Sequence, residues 1–418
     1  MFDFMDLEFD TPAMPIAQGS YIPDAQECLR CGLCVSQCPT FRIFGVNEVT
    51  PRQRLRSISK VLVENQPLTD QERQHLDSCL QCRACEPVCP SRVSYGALFS
   101  QAQQQLASPP GILAKLGYFL LSHPAWLHHT LPVLTLYLKS GLQGPLRRSG
   151  IFKRLGLESA EALLQLPQLK RLRARYPSKT TARGRVALFT GCIAEAFDQP
   201  TLNASIRLLN AIGFEVIVPP AQGCCGAVQQ HNAQDASALI ANNIEVFNAL
   251  EVQAVIHTAT GCGAHLSEYQ SSDPAASEHF RQRLYDINDF ILEHWPDHLS
   301  LKPSDLSVAV HEPCSQRNIL KNNANVYQLL GKIPNITLVP LAENNLCCGS
   351  GGSYMLTHPE IAEQLLDLKL QHIESANVDT VVSSNIGCAL FLNSAAHKPS
   401  SIIHAVQLLA AHLPDAFD

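Results

Sequence analysis

Two patterns of apolar residues divide the chain at about residue 185. Beyond that point, short apolar runs alternate with longer stretches; the runs are 186–189, 215–218, 254–258, 307–310, 336–340 and 380–383. The longer stretches have helical length and lie at 201–211, 235–250, 325–330 and 359–375. Short apolar strands that alternate with helices are typical of α/β units with parallel sheets. The pattern therefore predicts two α/β modules, at 185–300 and 301–418.

The residues before this boundary show helical spacing instead. Helices are predicted at 51–63 and 95–106, and the Leu-rich segment at 109–184 is broken into helices by Pro and Gly. The predicted fold class is therefore α+β and multidomain. It consists of an all-helical domain at 1–108, a helical connection at 109–184 and the two repeated α/β modules.

Composition indicates the size of these domains and the cellular compartment in which the chain folds. The chain has 418 residues with 46% hydrophobic content, enough for several cores. Its N-terminus is acidic and lacks the basic and apolar regions of a secretion signal, so we expect the 16 cysteines in a reducing compartment, by default the cytoplasm. The longest apolar region, 111–142, is interrupted by Lys, His and Pro, and we expect no transmembrane helix.

Charge is concentrated in the helical connection. Between residues 111 and 185 there are 13 Lys and Arg against Glu158 and Glu161, although the net charge of the chain is -6. Nucleic-acid binding is not expected, since no reader motif accompanies the basic residues. A solvated surface, an acidic partner subunit and the anionic cytoplasmic face of a membrane remain as interpretations.

The cysteines of the first domain carry the strongest chemical signal. A C-x2-C-x2-C-x3-C-P run occurs at Cys28 and is repeated 51 residues later at Cys79. Three thiolates at this spacing wrap one face of an iron–sulfur cube, and the fourth ligates the neighbouring cube. Disulfides or zinc sites are the alternative, but zinc ligands do not normally show this spacing.

The motif therefore predicts two [4Fe-4S] clusters with crossed ligands in an all-helical, ferredoxin-like domain. One cluster is expected to take Cys28, Cys31, Cys34 and Cys89. The other is expected to take Cys79, Cys82, Cys85 and Cys38.

A second set of cysteines repeats in the α/β modules, just after predicted strands. The first module has Cys192, Cys224, Cys225 and Cys262; at offsets of 122 to 126 the second has Cys314, Cys347, Cys348 and Cys388. Loops at the carboxyl ends of parallel strands converge on one crevice, so four thiols of a module are expected to meet there. Burial as small apolar residues is the alternative for these eight cysteines.

The paired Cys-Cys-Gly motifs resemble the CCG cysteine-rich domain of heterodisulfide reductase subunits and of iron–sulfur subunits of flavin dehydrogenases. That family's motif closes with C-x-x-C, whereas this chain has His265 and Phe391 at the closing positions. His265 is a candidate nitrogen ligand, because imidazole commonly binds iron. This region could hold one additional iron–sulfur cluster or no cluster, and both alternatives remain open.

The order of the motifs over nearly the whole chain resembles the iron–sulfur subunits of bacterial glycolate oxidase. Short sequence motifs support the resemblance, namely Cys38-Pro-Thr-Phe, Thr50-Pro-Arg-Gln-Arg-Leu, Cys89-Pro-Ser, Tyr95-Gly and Thr260-Gly-Cys-Gly-Ala. The resemblance implies an electron-transfer subunit of a membrane-associated complex that oxidises glycolate to glyoxylate, with D-lactate accepted by some members. It also implies partner subunits that bind FAD. Beyond the resemblance, we expect a quinone-type acceptor and a peripheral position on the inner face of the inner membrane.

The residues themselves favour the same division of labour. Each cluster takes one electron at a time, and no dinucleotide fingerprint or acid–base constellation is visible, so no catalytic residue is predicted in this chain. Three other functions remain open. They are the iron–sulfur subunit of anaerobic glycerol-3-phosphate dehydrogenase, a CCG-cluster reductase of the heterodisulfide type, and a metal-free structural adaptor.

Overall fold

A computed structural model describes Ile22, Cys28 and residues 30–178, 180–395 and 402–417. The acidic N-terminal segment, on which the prediction about secretion rests, lies outside the described residues. The chain forms two compact units that divide between Ala107 and Ser108.

The N-terminal unit is helical in its described part. Its helices are α1 (Pro39–Phe44), α2 (Pro51–Leu62), α3 (Asp70–Asp77) and α4 (Tyr95–Leu106), with a 3-10 turn at Asn47–Val49. The two predicted helices are confirmed as α2 and α4. Their apolar faces meet in a small core that contains Leu55, Ile58, Leu98 and Phe99. Cys79 belongs to this core, and Cys28, Cys85 and Cys89 pack against it.

The second unit begins with short helices. These are α5 (Ile112–Ser122), α6 (Pro124–Lys139), α7 (Gln143–Arg148), α8 (Ile151–Arg154) and α9 (Glu158–Ala162). The prediction of a helical connection is wrong after Ala162. Residues 163–183 contain no helix in their described part, and strand β1 (Arg175–Tyr176) joins the following sheet in antiparallel pairing. Arg175 also forms an ion pair with Glu215 of that sheet, which helps to hold this segment extended.

The first α/β module is built on a five-stranded sheet of order β1-β3-β2-β4-β5. Its remaining strands are all parallel: β2 (Gly184–Phe189), β3 (Phe214–Ile217), β4 (Ala254–His257) and β5 (Leu284–Asp286). Its helices are α10 (Ile193–Phe197), α11 (Gln199–Ala211), α12 (Ala227–His231), α13 (Ser237–Asn248), α14 (Thr260–Leu266), α15 (Pro274–Gln282) and α16 (Ile287–Glu293).

The second α/β module has a four-stranded parallel sheet of order β7-β6-β8-β9. The strands are β6 (Ser307–His311), β7 (Thr337–Pro340), β8 (Thr380–Ser383) and β9 (Ile402–Ile403). A π-helical turn follows β6 at Ser315–Leu320; the other helices are α17 (Asn323–Leu330), α18 (Tyr354–Thr357), α19 (Pro359–Ala376), α20 (Ile386–Ala395) and α21 (Ala405–Ala411), and a 3-10 turn lies at Asp415–Phe417.

One apolar core runs from the first sheet to the second. Residues of β2, α11, β6 and α21 belong to a single buried cluster, and Gln407 Nε2 donates to Thr201 Oγ1 at 2.7 Å beside it. Each of the six predicted strands is present, whereas β1, β5 and β9 were not predicted. Since the central strands of both sheets are parallel, their carboxyl ends lie at one edge of each sheet.

A glycine after the second cysteine pair tests this architecture. Gly349 has φ +91°, and a Cβ there would lie 2.5 Å from the carbonyl oxygen of Ala362 in α19. We expect Gly349→Ala to cost about 2 kcal/mol or more, which lowers the midpoint of thermal unfolding by about 4–8 °C. The control is Gly117→Ala in α5, which meets no heavy atom within 4 Å and should be neutral or slightly stabilising. The unfolding midpoints are measured by circular dichroism. Equal midpoints for the two variants would contradict the close approach of Gly349 to Ala362.

Candidate metal centres

The cysteines of the N-terminal unit are held by helix ends and tight turns. Cys38 is the N-cap of α1, and Pro39 occupies the first helical position, where a missing N–H costs nothing. Cys79 follows the end of α3 by two residues. All 16 cysteines of the chain lie among the described residues, and none of them is in a disulfide.

Two cavities in this unit are lined by cysteines from both runs. Cys38, Cys79, Cys82 and Cys85 line one cavity. Cys28, Cys31, Cys34 and Cys89 line the other, to which Cys85 also contributes. The structure therefore brings the fourth cysteine of each run to the first three of the other run. Ligation by these groups stays a prediction.

Two of these thiols, those of Cys34 and Cys85, have raised pKa values. Burial, together with the charge of Cys28, raises the pKa of Cys34 to about 11. Burial also raises the pKa of Cys85 well above its ordinary value. Thiols with such pKa values are protonated at neutral pH, so a soft metal has to displace the protons as it binds. The donor set of four cysteines around each cavity fits an iron–sulfur cube.

A buried arginine lines the first of these cavities, the one that contains Cys38 and Cys79. Arg54 of α2 is 2% exposed, and its Nη1 donates to Cys38 Sγ at 3.7 Å. Its other nitrogens donate to Thr40 Oγ1 at 3.0 Å, Ser78 Oγ at 2.8 Å and the carbonyl of His75 at 2.8 Å. No carboxylate among the described residues forms a salt bridge with Arg54. A cation buried in this way is stabilised when the thiols beside it become anionic.

Tyr95 approaches the same cavity from α4. It is buried, with 5% of its surface exposed, and its hydroxyl donates to Cys79 Sγ at 3.6 Å. Hydrogen bonds to cluster sulfurs are among the features that set reduction potentials. Arg54 and Tyr95 are therefore positioned to tune a cluster held at Cys38 and Cys79.

In the first α/β module, the four predicted cysteines gather at the carboxyl edge of the sheet. Cys192 precedes α10, the pair Cys224 and Cys225 precedes α12, and Cys262 lies in α14. Their sulfurs form two short contacts, 3.3 Å between Cys192 and Cys224 and 3.2 Å between Cys225 and Cys262. The prediction that loops after parallel strands bring these thiols together agrees with this arrangement.

The second module repeats the gathering. The thiol of Cys314 interacts with that of Cys347, and the thiol of Cys348 interacts with that of Cys388. Among the described residues, one group of three donors has all its ligand atoms within 4.8 Å of one another: His311, Cys348 and Cys388, all buried. Sequence reasoning did not identify His311. The signal that could have found it is a histidine at the end of a predicted strand, three residues before Cys314.

Hydrogen bonds connect the two thiol groups of this unit. Asn385 Oδ1 accepts from the backbone N–H of Gly261, next to Cys262, at 3.2 Å. The amide nitrogen of the same asparagine donates to Cys388 Sγ at 3.3 Å. One side chain thus links the cysteine loops of the two modules.

His265 lies in α14 near the first thiol group. Burial lowers its pKa, so the ring is neutral, and its Nε2 is buried with no hydrogen-bond partner among the described residues. A neutral, unpartnered nitrogen is suited to a metal. The three-donor group above does not include it, however, and its role as a ligand stays a prediction.

A second buried cation lies in the second module. Lys369 of α19 is 0% exposed, and its Nζ donates to the carbonyl of Glu343 at 2.7 Å. Burial lowers its pKa, and the charges of Cys348, Cys347 and Cys388 oppose that shift. Arg54 and Lys369 were both missed from the sequence. The available signal was a basic residue on the apolar face of an amphipathic helix, beside Leu55 and Ile58 in α2 and beside Leu365 and Ile373 in α19.

Comparison with known proteins identifies the domains. Residues 24–93 match the 4Fe-4S dicluster domain, and residues 186–267 and 308–393 each match the cysteine-rich domain of the CCG type. The N-terminal match shows two [4Fe-4S] clusters as cofactors, and the cysteine groups described above fit iron–sulfur chemistry.

Three relatives cover much of the chain. A probable glycolate oxidase iron-sulfur subunit of Bacillus subtilis (strain 168) is 34% identical over 391 residues, which is 87% of each chain. The glycolate oxidase iron-sulfur subunit of Escherichia coli (strain K12) is 31% identical over 402 residues, or 91% of this chain and 92% of the relative. Lactate utilization protein A of Geobacillus kaustophilus (strain HTA426) is 27% identical over 242 residues, or 54% of this chain and 99% of the relative.

Proposed function

This chain belongs to the family of glycolate oxidase iron-sulfur subunits, and we propose that it carries electrons in a complex that oxidises glycolate to glyoxylate. It is a subunit of an oxidoreductase complex. The observation that carries the proposal is the pair of cysteine-lined cavities in a chain whose sequence has no dinucleotide fingerprint. Removal of a hydride from the carbon next to a carboxylate needs a two-electron acceptor, which we assign to FAD on partner subunits.

We assign the ligands of the two [4Fe-4S] clusters in crossed sets. Cys28, Cys31, Cys34 and Cys89 hold one cluster; Cys79, Cys82, Cys85 and Cys38 hold the other. Each cluster supplies transfer of one electron at a time. The role of this chain is to hold both cubes and to set the potential of the cube at Cys38 and Cys79 through Arg54 and Tyr95.

The α/β modules extend the route in this proposal. The candidate ligands are Cys192, Cys224, Cys225, Cys262 and His265 in the first module and Cys314, Cys347, Cys348 and Cys388 in the second. The hydrogen bonds through Asn385 between the two thiol groups favour electronic contact over a role as scaffold alone. From this region electrons pass to a quinone-type acceptor.

A surface of the second unit favours a membrane as the site of action. Helices α5 and α6 expose large apolar side chains, including Ile112 at 85% and Leu136 at 71%. Exposed basic residues follow at once, namely Arg148, Lys153 and Arg154. An apolar face with adjacent Lys and Arg is typical of proteins that lie in the interface of an anionic leaflet. Among the described residues, the longest apolar helices fall short of what a bilayer crossing requires. We therefore propose a peripheral position on the inner face of the inner membrane.

Lactate is the second candidate substrate of the complex. The relative named lactate utilization protein A matches over 54% of this chain. Glycolate and lactate are both 2-hydroxy acids, and the substrate site lies on a partner subunit in this proposal. The two substrates are therefore to be compared on the assembled complex.

The crossed ligand sets make a spectroscopic prediction. Cys38→Ser and Cys82→Ser should remove the same cluster signal from the EPR spectrum of the reduced chain, because both sulfurs belong to one cube. Cys89→Ser and Cys31→Ser should together remove the other signal. Each variant is expected to lose about four of the iron atoms, or to retain an altered cluster with one oxygen ligand. If Cys38→Ser behaves like Cys31→Ser, each run holds its own cube and the crossed assignment is wrong.

The division of labour predicts that the purified chain alone does not oxidise glycolate or D-lactate with an artificial electron acceptor. Co-expression with its flavin-binding partners should restore turnover, and Cys82→Ser should slow quinone reduction in that complex while flavin reduction by substrate persists. Stopped-flow absorbance separates the two steps. Turnover by the isolated chain would refute the proposal.

The basic and apolar surface predicts salt-dependent binding to anionic vesicles. Lys153→Glu should weaken binding about tenfold or more, since each basic residue near such a surface contributes about 1 kcal/mol and reversal counts twice. Arg56→Glu, an exposed position of α2, is the matched control. Roughly 0.5 M salt should lower affinity for the vesicles, because the Debye length falls to a few Å. Binding that ignores both changes would contradict a role of this surface in membrane contact.

A further inference from the structure

The second α/β module contains a donor group that the cysteine pattern does not include. His311 ends β6, and one of its ring nitrogens lies with the sulfurs of Cys348 and Cys388 in a set whose members are all within 4.8 Å. The Nδ1 atom of His311 is 3.0 Å from Ser383 Oγ. Because this contact engages Nδ1, Nε2 is the nitrogen that remains for a metal.

The two modules differ at this position. In each sheet the two central strands end on a register pair, Phe189 with His257 in the first module and His311 with Ser383 in the second. The phenyl ring of Phe189 has no donor atom, so the first module cannot supply a nitrogen where His311 lies. The closing positions differ in the opposite sense, with His265 in the first module and Phe391 in the second. The second module thus lacks the closing cysteine but has a histidine from another element at the same thiol group.

Lys369 adds an independent observation. It is fully buried, and no carboxylate among the described residues forms a salt bridge with it. The charged groups that act on it include Cys348, Cys347 and Cys388, with Arg317 as a further cation. A buried ammonium is costly unless an anion lies near it. Cysteines that bind a metal are thiolates, and their negative charge would balance Lys369.

We propose that His311 is a nitrogen ligand of an iron–sulfur centre in the second module, together with Cys314, Cys347, Cys348 and Cys388, and that Lys369 is its buried counter-cation. The inference rests on the proposed role of the CCG region in the electron route. An imidazole in place of a thiolate raises the potential of an iron–sulfur centre, and a nearby cation favours its reduced form. This centre is therefore easier to reduce than the all-thiolate cubes and belongs on the acceptor side of the route.

The test uses the full chain, purified without oxygen, in wild-type form and as His311→Gln. Iron, zinc and sulfide are counted per chain, and pulsed EPR of the reduced protein measures hyperfine coupling to ¹⁴N. We expect more than about eight iron atoms in the wild type, since two cubes account for about eight. Because His265 is itself a candidate nitrogen ligand, the histidine variants and their reference protein all carry His265→Gln. In that background a strong ¹⁴N coupling should be present with His311 in place and absent from His311→Gln. The matched control, His257→Gln, changes a buried histidine at the same sheet edge of the other module and should keep the coupling.

Two further variants separate ligation from a structural role. His311→Cys should keep the metal count, lose the ¹⁴N coupling and lower the midpoint potential of the centre. Lys369→Met should lower that potential or reduce metal retention, while Lys369→Arg should preserve both. A structural role would leave the spectrum of every folded variant unchanged.

The outcomes distinguish this inference from the proposed function. Iron above about eight with ¹⁴N coupling retained in His311→Gln refutes His311 as a ligand and leaves the electron route standing. Wild-type iron at about eight, or zinc in place of the additional iron, overturns the redox centre in the second module and the part of the proposed function that includes it. Loss of quinone reduction in Cys82→Ser bears only on the N-terminal cubes.

Discussion

The structure depends on the electrostatic cost of placing several cysteine sulfurs together away from water. None of the 16 cysteines is in a disulfide, and eight of them are buried. In the first α/β module the sulfurs approach one another to about 3.3 Å. As thiolates they repel one another unless a metal lies between them. Two buried cations, Arg54 and Lys369, lie where that negative charge is expected. A bound metal, the thiolates that hold it and the neighbouring cation balance one another's charge, so each of them is stable in the interior only when the others are present.

The α/β modules show how the fold produces such groups. Parallel strands bring successive loops to one edge, so cysteines that are some 30 to 40 residues apart in sequence approach to about 3.3 Å. Duplication of the module then gives two thiol groups with a shared core and a hydrogen-bonded link through Asn385. Their surroundings have diverged, since histidine and phenylalanine exchange places between the two copies at Phe189 and His311 and at His265 and Phe391.

The sequence predicted the parts of the structure that leave a local pattern. Helix α4 and strand β8 were predicted to the residue, because apolar spacing and turn residues mark both ends. Strands β5 and β9, of three and two residues, are too short to show alternation, and β1 pairs only because β3 offers an edge. The cysteine spacings predicted the chemistry of the N-terminal unit. Arg54, Lys369 and His311 were not predicted, because their roles depend on tertiary contacts that apolar periodicity and motif spacing do not reveal.

The buried guanidinium of Arg54 links the stability of the polypeptide to the integrity of the neighbouring cluster when the protein is exposed to oxygen. If oxidation strips iron from its neighbours, the cation stays locked among Thr40, Ser78 and Cys38 while the opposing charge has gone. Chemical damage to the inorganic part then becomes a weakness of the polypeptide itself. A chain that has lost this cluster unfolds more readily, and proteases degrade the unfolded chain before it assembles into a complex.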